Sequence, residues 1–385
     1  MDYRHSEVHK KLKEKMEKFC REEMAPGAPF LDSCSRDEAV ERMKSNVKKL
    51  AAEGYLELLA GNDFTGQAVA GEELAKACPA TFLTAMSSVT AFGRMVNLSG
   101  TEARKENIVS SLTTGQSIGA VAFTEGDAGS DMNSMRTVAE RRENGWVLNG
   151  TKDLVTNAPI ADAFLVLAWT DQNAGLDKGT ALFLIGKNTE GLSVGDHVET
   201  MGLRGAVTAG ITLKDCFLGD DAVLGGTAGL GWVQLQRIMD EIRIAVSVLC
   251  VGIGVSCMED STKHAKERKA FGKPIGLFEG VGAKLATMYT LNDIGRMLVY
   301  RACWAMEIGD PETSVLTSCA KLFTGEGVEQ ISSMAMQVNG GHGYLRGTVA
   351  ERLYRDARFA ALAYGTSEMQ RSFIARDTLD RFRPA

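Results

Sequence analysis

Apolar residues recur at helical spacing through the first third of the chain. They then give way to short runs rich in β-branched and aromatic residues, and return to helical spacing after Gly231. The opening helical stretch covers 6–23 and stops at Pro26-Gly27. Ser35-Arg36-Asp37-Glu38 has the form of a capping box and starts a helix that runs to Gly54. Segments 70–78 and 101–113 are further helices, and TAMSSVTAF (84–92) reads as buried helix. From about 117 come SIGAVAFT, WVLNGTKDLVT, AFLVLAWT, TALFLIG and ITLKDCFL, each with the length and texture of a strand. Asn144-Gly145 suits a tight hairpin, and Asn149-Gly150 is a second turn signal. Because the strands do not alternate with helices, they predict an antiparallel β module rather than a doubly wound nucleotide-binding sheet. Helical periodicity then covers 232–266, 278–308, 312–338 and 367–381, enough for a four-helix bundle. The chain thus divides into an N-terminal helical domain (1–116), a middle β domain (117–230) and a C-terminal helical bundle (231–385). The fold class is mainly α with a central antiparallel β domain.

Composition narrows the function classes. With 44% hydrophobic and 24% charged residues the chain has an ordinary globular balance. Its net charge of −6 argues against nucleic acid or an anionic membrane as a partner. The eight cysteines fall at 20, 34, 78, 216, 250, 257, 303 and 319, without CxxC pairs or metal-ligand spacing. Reduced thiols in a cytoplasmic protein are expected. The five histidines are dispersed, so no zinc site is expected. The N-terminal MDYRHSEVHKKLKEK is charged and helical, unlike an export or transit segment. No apolar stretch approaches the roughly 18 residues of a membrane span, so no membrane insertion is expected.

Three segments carry candidate chemistry. AFTEGDAGSD (122–131) runs from a strand into a loop of glycine, serine and acids; alone it reads as a turn, although its N–H groups and hydroxyls suit a phosphate. KERKAFGKPIGLFEGV (266–281) reads as a basic helix end followed by a turn. QVNGGHGYLRGTVAERLYRDAR (337–358) joins a glycine pair, open to close backbone approach, to what reads as a solvated helix face.

Taken in order with GTSEMQR (365–371), the blocks FTEGDAGSD, RKAFGKPI, and QVNGGHGY with ERLYRDAR closely resemble the acyl-CoA dehydrogenase family over nearly the whole chain. The resemblance implies a three-part subunit, a homotetramer or homodimer, and FAD held non-covalently between the β domain and the bundle. It implies an acyl-CoA or acyl-carrier-protein thioester as substrate and, for a true dehydrogenase, an electron-transfer partner. By position it places Val121, Phe123, Thr124, Gly129, Ser130, Leu154, Val155 and Thr156 around the isoalloxazine. Arg268, Phe271, Glu279, Gln337, Gly340 and Gly341 would hold the rest of the cofactor across a subunit interface. Thr366 and Glu368 would meet it at the last helix start. Ser130, Asp240, Arg243 and Gly365 would line the thioester channel. Leu154 stands where the family commonly has an aromatic residue, and Glu279 where it often has Gln. The 54–74 segment lacks the family's longer glycine-rich loop.

The family's chemistry removes an α-proton to a base while flavin accepts the β-hydrogen as hydride. The base is usually a Glu before the Gly of the last motif, or an acid before the Arg of the first bundle helix. This chain has Tyr364 and Ile242 there. A phenol of ordinary pKa is only ~0.1% ionised at pH 7, a cost of about 4 kcal/mol, unless the site or Arg243 lowers it. Tyr364 is the candidate catalytic residue by position and otherwise a packing residue of an altered pocket. Glu241, one residue from the acid's position at Ile242 and so about 100° away on the helix, faces elsewhere, and Asp240 shares Arg243's face. His342 is placed at the adenosine end. The leading expectation is α,β-dehydrogenation of an acyl thioester with an atypical base. The alternatives are redox-neutral elimination or cyclisation, flavin-dependent oxygenation, and a catalytically silent FAD-binding subunit.

Overall fold

A computed structural model describes residues 6–382. Residues 1–5 and 383–385, the outer ends of the first and last expected domains, lie outside the described residues. The N-terminal third is helical. Glu7–Phe19 widens into a π turn at Cys20–Met24 before Pro26. Arg36–Ala52 is fixed by the expected capping box: the Glu38 N–H donates to Ser35 Oγ (3.4 Å) and the Ser35 N–H to Glu38 Oε2 (2.9 Å). Replacing Ser35 by Ala is expected to lower stability by about 1 kcal/mol, read from denaturant melts. The helix expected over 70–78 spans Phe64–Ala77, with Asp63 as its N-cap. The TAMSSVTAF helix begins at Pro79 and widens into a π-helical segment, Met86–Gly93, buried at every position.

Seven strands form one sheet: β1 (Gly119–Ala122), β2 (Val138–Arg142), β3 (Gly145–Thr156), β4 (Ala163–Trp169), β5 (Thr180–Gly186), β6 (Leu192–His197) and β7 (Thr208–Gly219). Their order is β1-β4-β2-β3-β7-β6, with β5 also on β4. The sheet is mixed, which corrects the expectation of an antiparallel module: β1 and β4 are parallel, and β2 meets β4 in parallel at Val138–Trp169. The chain between β1 and β4 contains the whole β2–β3 hairpin, long enough for the crossover that parallel neighbours need. The hairpin turn centres on Glu143-Asn144, one residue earlier than expected, and neither residue has a positive φ. Asn149-Gly150 is not a turn but lies within β3, opposite a bulge in β7: Leu148 to Gly150 face Cys216 to Leu213, and Asp215 in the bulge has φ 48°. A Cβ on Gly150 would fall 2.4 Å from Thr137 Oγ1, so only glycine allows that approach. β2 and β6 have no counterpart among the expected strands; β6 alternates too little, with four exposed residues in a row.

β4 is buried on both faces. Phe164, Val166 and Ala168 enter a core private to the sheet, whereas Leu165, Leu167 and Trp169 join the core shared with the helices. Both-face burial explains why AFLVLAW is apolar throughout. The bundle comprises Gly231–Glu267, Glu279–Ile308, Thr313–Asn339 and Ser367–Arg381. The first of these helices has a window of mean hydropathy 1.8, apolar and long enough for a membrane span, contrary to expectation; 72% of that window is buried, as befits a core helix. Gly252 on this helix would place a Cβ 2.6 Å from that of Ala75, so the Phe64–Ala77 helix packs directly against its backbone. All eight cysteines are free thiols.

Candidate active site

At one seam the edge of the sheet, the π segment and the start of the last bundle helix meet. The 123–131 loop is held from beneath by a buried ion pair. Lys152 Nζ donates to Glu125 Oε1 (2.8 Å) and to the Phe123 carbonyl (3.2 Å), and Glu125 also accepts from the N–H groups of Arg136 (2.7 Å) and Thr137 (3.1 Å). Burial, opposed by Glu125, lowers the Lys152 ammonium to about 8. Burial pushes Glu125 up, but Lys152 and the N–H donors outweigh it and leave the carboxyl below its usual range. The sequence signal for this pair is positional: Leu148, Gly150 and Lys152 share the inward register of β3.

The Asp153 N–H donates to the Thr124 carbonyl (2.9 Å), bringing Phe123 and Thr124 beside the 154–156 segment. A second register shift in β3, between Lys152 and Val155, leaves Leu154 at φ 53° and 59% exposed. Val155 is buried, so only its backbone faces the seam; Thr156 is partly exposed, and Gly129 and Ser130 are exposed.

The π segment distributes hydroxyls in several directions. Ser88 Oγ accepts from the Gly119 N–H (3.0 Å) and so fastens β1, while Ser87 Oγ lies 3.2 Å from Tyr364 Oη. Tyr364 has φ 52° and Gly365 φ 91°, so two successive left-handed residues aim the phenol at Ser87. Its ring lies 6.5 Å from both Phe123 and Phe359. Burial pushes the phenol above its ordinary value, with Ser87 a weaker opposing influence. Arg243 gives no help: its guanidinium sits over Phe373 (5.5 Å) and donates to Asp240 (2.7 Å). The Gly365 carbonyl accepts from Lys321 Nζ and from Gln370 Nε2 (3.2 Å). Lys321 is buried, and its ammonium is lowered to about 8, chiefly by desolvation. Thr366 caps the last helix, and Glu368 is exposed in its first turn. Ser367 Oγ and Gln370 Oε1 are buried there without a partner.

On the first bundle helix, Asp240 accepts from Arg243, Ser314 Oγ (2.5 Å) and Thr317 Oγ1 (2.7 Å). Ile242 is fully buried. Glu241 turns to the N-terminal domain, where Arg94 grips it through Nε (2.7 Å) and Nη2 (2.8 Å), both side chains buried. No sequence pattern marks Arg94 as Glu241's partner.

The remaining expected cofactor residues form a second group. Arg268 caps the far end of the first bundle helix, roughly 37 Å beyond Arg243 at 1.5 Å per residue. Phe271-Gly272 turns a two-strand hairpin, with Phe271 at φ 50° and 94% exposed. Glu279 is exposed at the start of the second bundle helix, and Gln337, Gly340 and Gly341 are exposed at the end of the third. His342 stacks on His264 at 6.0 Å, tying the two helix ends together. Within one chain, Phe123 lies against Tyr364 and Thr124 beside the strand end that carries Leu154, while the Arg268–Gly341 group stands apart.

Comparisons with known proteins agree with this architecture. Three family models match in order: acyl-CoA dehydrogenase N-terminal domain over 6–116, middle domain over 120–216 and C-terminal domain over 229–379. The 3-(aryl)acrylate reductase of Clostridium sporogenes is 32% identical over 381 residues, covering 97% of this chain and 99% of that protein. The structure of butyryl-CoA dehydrogenase from Megasphaera elsdenii superposes with a TM-score of 0.91 at 27% identity, covering 98% of this chain and 100% of that one. PigA with FAD and proline superposes at 0.90 and 28%, covering 99% and 100%.

Proposed function

This chain belongs to the acyl-CoA dehydrogenase family, and from that premise we propose that it binds FAD and catalyses a two-electron reaction at the α,β-carbons of an acyl thioester. The observation that carries the proposal is the composition of the seam. Phe123, just past β1, lies against Tyr364 before a helix start whose Ser367 hydroxyl and Gln370 carbonyl lack protein partners, and Leu154 is exposed at positive φ on the strand beside Thr124. Such a helix start suits an anionic or acceptor-rich cofactor. Val121, Phe123, Thr124, Gly129, Ser130, Leu154, Val155 and Thr156 would bracket the flavin, and Thr366 and Glu368 would flank it at the helix start. When bound, FAD supplies the acceptor or donor of hydride at the β-carbon. Ser130, Asp240, Arg243 and Gly365 would line the thioester's path.

Arg268, Phe271, Glu279, Gln337, Gly340 and Gly341 are too far along the bundle to reach the same seam. They serve a second copy, which makes the working unit a homodimer or homotetramer. The exposure of Phe271 (94%) and Tyr344 (83%) supports that reading, since both would be covered in the assembly.

A second reading concerns direction, and Tyr364 favours it. Its phenol stays protonated at neutral pH, so it holds a proton at Oη to deliver to an α-carbon more readily than it takes one up. Reduction of a 2-enoyl thioester, with electrons from a carrier protein, is therefore the direction that suits this side chain.

Purified protein is expected to be yellow. For flavin-stripped protein, FAD at a hundredfold excess over its Kd is expected to add about 2.7 kcal/mol of stability, seen as a higher Tm. Colourless protein whose Tm ignores FAD would end the proposal. Turnover of a thioester with the flavin remaining oxidised would instead indicate redox-neutral chemistry.

A further inference from the structure

Two lysines are buried among the described residues, Lys152 at 0% exposure and Lys321 at 1%. Lys152 has a carboxylate partner in Glu125. Lys321 has none among the described residues; its Nζ donates to a backbone acceptor, the Gly365 carbonyl. Burial lowers its ammonium; Cys250, Glu368 and Glu326 oppose that shift, and Arg243 adds to it. A buried cation without a hydrogen-bonded carboxylate is costly, and a methionine would fill the same space without that cost. Stability gives no reason for a lysine here. Its contact with Gly365 does.

That contact grips a strained piece of backbone. Tyr364, at φ 52°, puts a bulky side chain in the left-handed region, and Gly365 follows at φ 91°. Such a conformation persists only where its surroundings over-determine it. Three contacts do so: Ser87 Oγ meets the phenol, and the Gly365 carbonyl accepts from Lys321 Nζ and Gln370 Nε2 (3.2 Å). Gln370 belongs to the helix that the turn begins, so it moves with the turn. Lys321 comes from the third bundle helix and ties the turn to the rest of the molecule. It shares a face of that helix with Ser314 and Thr317, both of which donate to Asp240. One helix face thus holds Asp240 and the Tyr364–Gly365 turn in fixed register.

We propose that Lys321 is a positioning residue for proton transfer: by holding the Gly365 carbonyl it keeps the Tyr364 hydroxyl where it exchanges a proton with the substrate. The proposal rests on the reading of Tyr364 as the proton-holding group. Ammonium and amine both carry N–H donors, so the hold does not depend on the protonation of Lys321.

The test compares native, Lys321→Met, Tyr364→Phe and the double variant as full-length, FAD-loaded protein. The rate is that at which straight-chain 2-enoyl-CoA thioesters, crotonyl to octenoyl, reoxidise dithionite-reduced flavin without oxygen. Thioester affinity is measured by calorimetry. Lys321→Met is expected to slow reoxidation by about 10²-fold, the cost of displacing a reacting group by about 1 Å, while affinity changes little. In the Tyr364→Phe background the same substitution is expected to add nothing. An equal loss in both backgrounds marks a general structural role and overturns the proposal, as does a Tyr364→Phe enzyme as fast as native. Crystal structures give a readout free of substrate: in Lys321→Met the Tyr364 hydroxyl is expected to leave Ser87 Oγ, and an unchanged contact overturns the proposal. If Lys321→Met does not retain flavin, Lys321→Gln, one atom shorter, is expected to give the same results. If native protein reacts with no thioester, the thioester reading fails, and the crystal structures alone decide whether Lys321 sets the turn.

Discussion

Tyr364→Glu is expected to raise the anaerobic rate at which a saturated acyl thioester bleaches the flavin by about 10²-fold or more at pH 7, the usual worth of a placed general base. The argument starts from the native phenol. Enclosed between Phe123 and Phe359 and touching Ser87 Oγ at 3.2 Å, it is driven by burial above its ordinary value near 10. Less than ~0.1% of it can be ionised at neutral pH. A carboxylate at the same Cα would enter the same apolar surroundings, which raise its pKa toward the range where a base works best, with Ser87 as donor. The Gly365 carbonyl, held by Lys321 and Gln370, keeps the turn in place for either side chain. Tyr364→Phe provides the control and is expected to slow enoyl reduction and the slow native oxidation alike, because one phenol serves both directions. The pH profile separates the directions. For the native enzyme, oxidation that relies on the phenolate rises about tenfold per unit as pH increases below the phenol's pKa. Reduction that relies on the protonated phenol stays level over that range and falls only above it. A Tyr364→Glu enzyme no faster than native in oxidation, while still binding FAD and thioester, would remove Tyr364 from the proton-transfer position.

How much could be read before the fold was known depended on whether the information was local. Ser35 and Glu38 lie three residues apart, and their capping box formed as expected. The Phe64–Ala77 helix was foreshortened because GNDFTGQ looks like a loop; its start depends on the Asp63 carboxylate accepting from the Gly66 N–H (2.7 Å). Asn149-Gly150 resembles a turn, but the glycine sits inside β3 opposite the β7 bulge, and its reason is the close approach of Thr137. The parallel pairing of β1 with β4 leaves no trace in either strand's own residues. At the site, the motifs indicated Phe123, Leu154 and the Thr366 helix start. They could not show that Lys152 supports the loop, that Lys321 holds the Gly365 carbonyl, or that Arg94 reaches Glu241, because those partners are separated by 27, 44 and 147 residues. Long-range pairing of buried charges depends on packing, and a single sequence carries little record of it.

Arg94→Met is expected to cost about 3–5 kcal/mol of stability, because it leaves the Glu241 carboxylate buried without a counter-ion. The guanidinium also bonds the Ala60 carbonyl and lies 5.7 Å from the centre of the Phe64 ring, so its loss loosens the N-terminal domain against the bundle at the same place. Replacing both residues, Arg94→Met with Glu241→Met, is expected to recover most of the deficit, because two apolar side chains of similar volume need no desolvated charge. The cycle completed by Glu241→Met alone, measured by denaturant unfolding of the FAD-saturated protein, should therefore show strong coupling. If the single and double variants are equally unstable, packing rather than charge holds this contact.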